Sequence, residues 1–176
     1  MHFCINYIDY SINKMKFKAN FISEENLNQN NSIYSNHISE KNNEEEINQN
    51  NENEWYIQIE KIGLKAPIQE GTNKENLEDY VGLFEESPKE RGNICLAAHN
   101  RGYKNNYFSR IKELKEGDEI TYTYKNIKRT YIVTKHEIIQ NTDWSNLENT
   151  KENKITLITC VENEPEYRRC IQGVEK

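Results

Sequence analysis

The sequence predicts a mainly β fold for residues 55–176, a closed barrel of seven to eight strands with one or two short helices. Three observations predict it. Apolar and polar residues alternate with a period of two in several segments, and other segments are short continuous apolar runs. The connections between these segments are brief. Many short strands with brief connections favour a closed barrel over a doubly wound sheet.

The first predicted elements are two strands and a helix. Residues 55–59 alternate between apolar and polar side chains, which predicts a first strand, and residues 64–68 form a second strand after a break. The sequence Thr-Asn-Lys-Glu at residues 72–75 is typical of a capping box. We therefore expect a short helix capped by the Thr72 side chain, with Glu75 reaching back to the start of the helix.

Residues 92–98 form a run that is apolar apart from Asn93, as expected for a strand buried on both faces. Apolar residues at 107, 108, 111 and 114 then have helical spacing. The predicted strands that follow are 120–124, its hairpin partner 130–134 extended by 138–139, and the last two strands, 155–160 and 167–174. The predicted core comprises Trp55, Ile57, Ile59, Ile94, Leu96, Ile120, Tyr122, Ile132, Ile155 and Leu157.

Residues 24–54 differ from the predicted barrel in composition. They contain eight acidic residues against one lysine, for a formal charge of −7, and eleven asparagines. Such a segment cannot bury enough apolar surface to offset the entropy of ordering it, so we expect a disordered acidic spacer. The whole chain carries −6, so the rest is close to neutral. Residues 1–23 form a leader of unclear role, and the remnant of a truncated anchor is one interpretation of it.

Several functional classes find no support. The chain has no basic run, so no nucleic-acid partner is expected. No apolar run approaches the roughly 20 residues of a membrane helix, and none is typical of a signal peptide. The four cysteines include no Cys-x-x-Cys pair, and their spacing suits neither a disulfide framework nor structural zinc. Cys95 and Cys170 lie in apolar strands, where we expect buried hydrophobic residues. No metal or cofactor is predicted.

Three residues with useful chemistry lie at or near the ends of predicted buried strands. Cys160 and His99 each end an apolar run, and Arg168 lies near the start of the last strand. A thiolate is a nucleophile, an imidazole can protonate a leaving amine, and a guanidinium offers a fixed fork of donors to an oxyanion. Each residue alone has an ordinary structural explanation. Together they predict a cysteine-dependent acyl-transfer site.

The sequence around these residues resembles the sortase family. Residues 156–160 match its Thr-Leu-x-Thr-Cys motif, and the small residues before His99 resemble its histidine segment. Residues 168–173 resemble the arginine strand, with a small residue five positions after the arginine, and residues 59–68 resemble the opening strands. The similarity covers residues 55–176, and the nearest subgroup is class D.

The resemblance implies a sortase catalytic domain in residues 55–176, on the extracellular face of the membrane of a Gram-positive cell. Sortases cleave a Leu-Pro-x-Thr-Gly-type sorting signal between Thr and Gly, and hold the acyl fragment as a cysteine thioester. The implied partners are surface proteins bearing such a signal and an amine acceptor of peptidoglycan or a pilin. By position, Cys160 would be the nucleophile, His99 the general acid/base, and Arg168 the oxyanion partner. The anchor helix of the family is absent from this sequence.

The arginine assignment depends on strand register. Arg168 is followed by Arg169, and neighbouring side chains of a strand face opposite ways, so only one of the two can reach Cys160. Aligning Gly173 with the family's small residue selects Arg168. A positively charged imidazolium or guanidinium near Cys160 would favour the thiolate form of its side chain.

Two further expectations concern the surroundings of the site. His136 follows a polar strand segment with no small-residue run before it, so we interpret it as a surface residue. Residues 137–154, which include Trp144, are expected to line the approach to Cys160 and to influence specificity.

Three alternatives stay open at the level of sequence. A thiol peptidase would use the same residues and pass the thioester to water instead of an amine. A non-catalytic β-barrel binding module on an acidic tether would explain the strands and the spacer, but not the placement of the three residues. A metal site built from His99, Cys160 and Cys170 lacks the usual spacing of ligand pairs.

Overall fold

The computed structural model describes residues 54–176, in which eight strands are joined by short turns, one α-helix and three 3-10 helices. The helix α1 is Lys74–Asp79, and the 3-10 helices are Glu60–Ile62, Ile111–Glu113 and Ser145–Leu147. The strands are β1 (Trp55–Ile59), β2 (Leu64–Glu70), β3 (Val81–Leu83), β4 (Asn93–Ala97), β5 (Glu119–Tyr124), β6 (Ile127–Gln140), β7 (Lys154–Val161) and β8 (Glu164–Glu175).

The strands close into a barrel in the order β1-β2-β3-β4-β7-β8-β6-β5, and β5 pairs back with β1. The pairs β2–β3 and β4–β7 are parallel, and the other pairs are antiparallel. The predicted fold class is therefore confirmed. No helix among residues 54–176 is long and apolar enough to span a membrane. The predicted leader, the spacer up to residue 53, and Cys4 lie outside the described residues.

The main core fills the barrel, with residues such as Ile57, Ile94, Ile120 and Leu157 fully buried. Ile132 was predicted in this core and is only partly buried. Inward positions on β6 are held instead by its neighbours Tyr131 and Val133, because Tyr131 lies opposite the inward-facing Ile120. Because residues 131–133 are all apolar, the sequence did not show which of them face the core. Trp55 packs against the core but is only partly buried.

Two local predictions were wrong in detail. The helix cap is Asn73 and not Thr72: the Asn73 Oδ1 accepts a hydrogen bond from the Asn76 N–H at 2.9 Å, so α1 starts one residue later than expected. The segment with helical spacing forms only the turn Ile111–Glu113. Its Phe108 N–H donates instead to the His99 carbonyl at 3.0 Å, which ties the chain to the end of β4.

Candidate active site

Strands β4, β7 and β8 lie side by side and bring the three predicted residues to one level of the barrel wall. Cys160 in β7 lies directly opposite Arg168 in β8, so the two side chains share a face. β4 runs parallel to β7, with Ala97 beside Ile158. Two residues further along both strands, His99 comes level with Cys160. We call Cys160, His99 and Arg168 the site row.

The end of β4 is held against β7 beyond the last residue of the strand. The Ala98 N–H donates to the Ile158 carbonyl at 3.4 Å, and the Thr159 hydroxyl donates to the Ala98 carbonyl at 2.7 Å. The Asn100 side-chain amide donates to the Cys160 carbonyl at 2.7 Å. Bonds on both sides of His99 thus fix its backbone beside that of Cys160. Thr159 belongs to the Thr-Leu-x-Thr-Cys motif, but no role was predicted from the sequence for it or for Asn100.

The site row lies on the outer face of the barrel. Side chains alternate along a strand, so Leu157 faces the main core while Cys160 shares the opposite face with Ile158. That face carries a second apolar cluster, which continues from the site row along the sheet. This outer cluster comprises Phe84, Cys95, Ala97, Ile139, Trp144, Ile158 and Cys170, with Leu147 packed against it.

Residues 137–154, with Trp144 among them, were expected to line the approach to Cys160, and this stays a prediction. Trp144 is buried in the outer cluster, with its ring edge against Phe84 at a centroid distance of 6.3 Å. Residues 137–140 of the same predicted loop belong to β6. The connection from β6 to β7 therefore covers the outer face of the sheet as part of the fold.

Buried hydrogen bonds attach this connection to the sheet. The Asn93 side-chain amide donates to the Asn146 and Glu148 carbonyls at 2.8 and 3.0 Å, and its oxygen accepts from the Thr156 hydroxyl at 2.7 Å. The Gln172 amide also donates to the Asn146 carbonyl, at 3.2 Å. Because buried polar groups are costly to leave unpaired, this network resists detachment of the connection.

His99 is buried and covered by an aromatic ring. Only 5% of its surface is exposed, and Tyr103 stacks on its imidazole with the ring centroids 3.6 Å apart and the planes 7° from parallel. The His99 Nε2 has no hydrogen-bond partner among the described residues. Burial lowers the pKa of His99 to about 4, so its imidazole is neutral at pH 7. Of the two cations that could favour a thiolate at Cys160, an imidazolium or a guanidinium, His99 is therefore not charged at neutral pH.

Arg168 is the largest fully buried side chain of the described residues, with 1% of its surface exposed. Its Nη1 donates to the carbonyls of Pro165 and Tyr167 at 2.8 and 2.7 Å. Its Nε is buried and has no hydrogen-bond partner within residues 54–176. The guanidinium is thus anchored by the backbone of its own strand, and it retains a donor for an incoming acceptor.

Arg169 occupies a different environment. It lies opposite Thr159, one residue out of step with the site row, and its guanidinium contacts the His136 Nε2. The His136 Nδ1 lies 3.0 Å from the Leu114 carbonyl. Because a carbonyl only accepts, Nδ1 carries the proton and Nε2 accepts from Arg169. His136 is therefore a partly buried structural residue, and the expectation of a simple surface residue was wrong.

All three described cysteines are buried, and Cys95 and Cys170 belong to the outer cluster whereas Cys160 belongs to the site row. Cys95 and Cys170 are buried in the outer cluster, and burial raises the pKa of each thiol to about 12. Such thiols stay protonated at neutral pH and are poor nucleophiles. Within residues 54–176 no three His, Cys, Asp or Glu side chains are grouped so as to hold a metal ion.

Acidification should weaken the fold through His99. The pKa of His99 is about 4 when folded and returns to 6.5 on unfolding, so the unfolded state binds more protons between these values. The contribution to stability is complete above pH 6.5 and is lost as the pH falls toward 4. Between pH 7.5 and pH 5, the free energy of unfolding measured with urea should fall by about 2 kcal/mol less in His99→Gln than in the wild type. Equal losses would contradict the buried neutral imidazole.

Comparison with known proteins identifies relatives over the barrel. Residues 57–175 match the family model described as the sortase domain. Sortase D of Bacillus subtilis (strain 168) is 34% identical over 108 residues, which cover 59% of this chain and 52% of that protein. Sortase A of Bacillus anthracis is 32% identical over 117 residues, covering 65% and 55% respectively. The chain thus spans about half the length of these curated relatives.

Solved structures agree on the fold. Sortase C1 from Streptococcus agalactiae matches with a TM-score of 0.65 and 27% identity, covering 74% of this chain and 70% of that one. A structure described as sortase C1 of a GBS pilus island matches with a TM-score of 0.66 and 24% identity, covering 71% and 64%. The relatives carry the labels A, C and D, so the predicted class D subgroup stays a prediction. The match over residues 57–175 shows that this chain belongs to the sortase family.

Proposed function

We propose that this chain is a cysteine transpeptidase that cleaves a Leu-Pro-x-Thr-Gly-type sorting signal between Thr and Gly and transfers the acyl fragment to an amine. The observation that carries the proposal is the site row. Three adjacent strands present a thiol, a neutral imidazole and an anchored guanidinium at one level of the outer face. Membership of the sortase family supports the same chemistry.

In the first half-reaction His99 acts as a base and then as an acid. The neutral imidazole takes the thiol proton of Cys160 as the sulfur attacks the Thr carbonyl carbon, forming a C–S bond and an oxyanion. Arg168 donates hydrogen bonds to that oxyanion, which a buried donor stabilises strongly. When the oxyanion collapses, the C–N bond breaks and the imidazolium protonates the departing Gly amine. The acyl fragment remains on Cys160 as a thioester.

The second half-reaction reverses these steps with a different amine. The incoming amine gives a proton to His99 and attacks the thioester carbon, again under the donors of Arg168. Collapse breaks the C–S bond, and the imidazolium returns its proton to the Cys160 sulfur. A new amide is formed and the enzyme is regenerated without any change in oxidation state.

We further propose that the substrates are surface proteins bearing the sorting signal and that the acceptor is an amine of peptidoglycan or of a pilin. The reaction would then take place on the extracellular face of the membrane. Family membership associates the chain with the cell envelope and supports this placement.

The proposal is tested with the purified full chain and a mixture of Leu-Pro-x-Thr-Gly-type peptides, with and without triglycine. We expect mass spectrometry to show cleavage after Thr and joining of the acyl fragment to triglycine, with Cys160→Ala inactive. Cys170→Ala serves as a matched control and should remain active, because its thiol is buried in the outer cluster. Release of free acid alone would identify a thiol peptidase. Product formation by Cys160→Ala would contradict the proposed nucleophile.

The two adjacent arginines should differ sharply in their effect on turnover. Arg168→Ala removes the donors aimed at the oxyanion and should lower kcat/KM by roughly 100-fold or more. Arg169→Ala removes a contact to His136 on the other face and should retain most of the activity. Initial rates with one peptide, together with thermal unfolding of both variants, provide the comparison. The reverse pattern would mean that Arg169 is the oxyanion partner.

A further inference from the structure

Tyr103 covers His99 from the loop that connects β4 to β5. Its ring lies flat on the imidazole, with the centroids 3.6 Å apart and the planes 7° from parallel. The nitrogen atoms of an imidazole form hydrogen bonds in the plane of the ring. A stacked neighbour therefore occupies the ring face and not the nitrogen edges.

The position of Tyr103 is fixed by its own loop. The Tyr103 N–H donates to the Asn106 Oδ1 at 3.2 Å, and the Asn106 Nδ2 donates back to the Tyr103 carbonyl at 2.7 Å. Gly102 just before it has a φ of +80°, which lets the chain turn sharply at that point. The Asn105 amide also donates to the Glu78 carbonyl of α1 at 2.8 Å. The aromatic ring is thus presented to His99 by a braced loop.

The charged and titratable groups around His99 are not the cause of its lowered pKa. Tyr103 faces it from the loop, Cys160 lies level with it on β7, and Arg168 lies one strand further. Arg101, also in the loop, pairs with Glu162 at 3.4 Å on an exposed part of the surface. The lowered pKa of His99 is caused by burial, and the Tyr103 ring covers one face of the imidazole.

We propose that Tyr103 is a positioning residue, which fixes the plane of the His99 imidazole and excludes water from its face. The proposal rests on the proposed function, because it concerns the residue assigned there as the general acid/base. This role is carried by the stacked ring of Tyr103. Its contribution is to keep His99 neutral and correctly oriented for the thiol proton of Cys160.

The test compares three variants of Tyr103 in the full chain. Tyr103→Ala removes the ring, Tyr103→Phe keeps it, and Tyr103→Leu loses the flat stack while retaining apolar bulk should the alanine variant fail to fold. Lys104→Ala is a matched control, because Lys104 is a neighbour in the same loop with an exposed side chain bonded to Asp79. NMR titration of the His99 imidazole, assigned by its absence in His99→Gln, measures the pKa directly.

We expect the pKa of His99 to rise from about 4 toward 6.5 in Tyr103→Ala and Tyr103→Leu, and to stay low in Tyr103→Phe. Turnover should fall roughly tenfold in the first two, with KM changing less, because misplacing a catalytic group affects the chemical step. The acid limb of the kcat/KM profile should move to higher pH with the pKa. Tyr103→Phe should restore most of kcat, and Lys104→Ala should match the wild type.

An unchanged His99 pKa together with unchanged kcat in Tyr103→Ala would overturn the proposal. Faster turnover in that variant, with faster alkylation of Cys160, would also overturn it and would make Tyr103 a cover over the thiol. If the wild type cleaves no sorting peptide, the proposed function fails. The NMR titration still decides whether Tyr103 controls the ionisation of His99, so the two failures are distinguishable.

Discussion

The site depends above all on the register between β7 and its two neighbours. Cys160 faces Arg168 because the antiparallel ladder with β8 pairs them directly, and His99 comes level with both because β4 runs parallel to β7. A slip of one residue in β8 would turn Arg168 to the other face and bring Arg169 in its place. The hydrogen bonds that surround His99 and the buried core beneath these strands therefore also fix the geometry of the proposed chemistry.

The outer cluster stabilises the register of β4, β7 and β8, because it covers with apolar side chains an outer face that would otherwise be exposed to solvent. The connection between β6 and β7 places Trp144 over the sheet and is tied down through Asn93. The site row is thereby bordered by packed apolar side chains, which limit water around His99 and Arg168. Burial lowers the pKa of His99, so its imidazole is neutral, and the backbone carbonyls of Pro165 and Tyr167 hold the Arg168 guanidinium beside the site. A neutral base beside a fixed cation suits a reaction that develops an oxyanion.

The sequence was sufficient to predict the barrel, because alternation and short connections mark most of its strands. The resemblance to the sortase arginine strand also selected Arg168 over Arg169, and Arg168 lies opposite Cys160 in the structure. Ile132 was wrongly assigned to the core because its neighbours Tyr131 and Val133 are apolar as well. The alternation therefore could not show which of the three face inward. The packing of Trp144 against Phe84 and the stacking of Tyr103 on His99 could not be predicted, because both contacts join residues outside the strands and leave no periodic signal.

The most direct test of the account is to trap the acyl-enzyme. The full chain is mixed with a sorting peptide in the absence of an acceptor amine, quenched with acid, and analysed by peptide-resolved mass spectrometry. The account predicts a mass gain equal to the acyl fragment on the peptide containing Cys160, and its loss when triglycine is added before the quench. Turnover of the peptide without any adduct on Cys160, or an adduct that triglycine does not discharge, would contradict it.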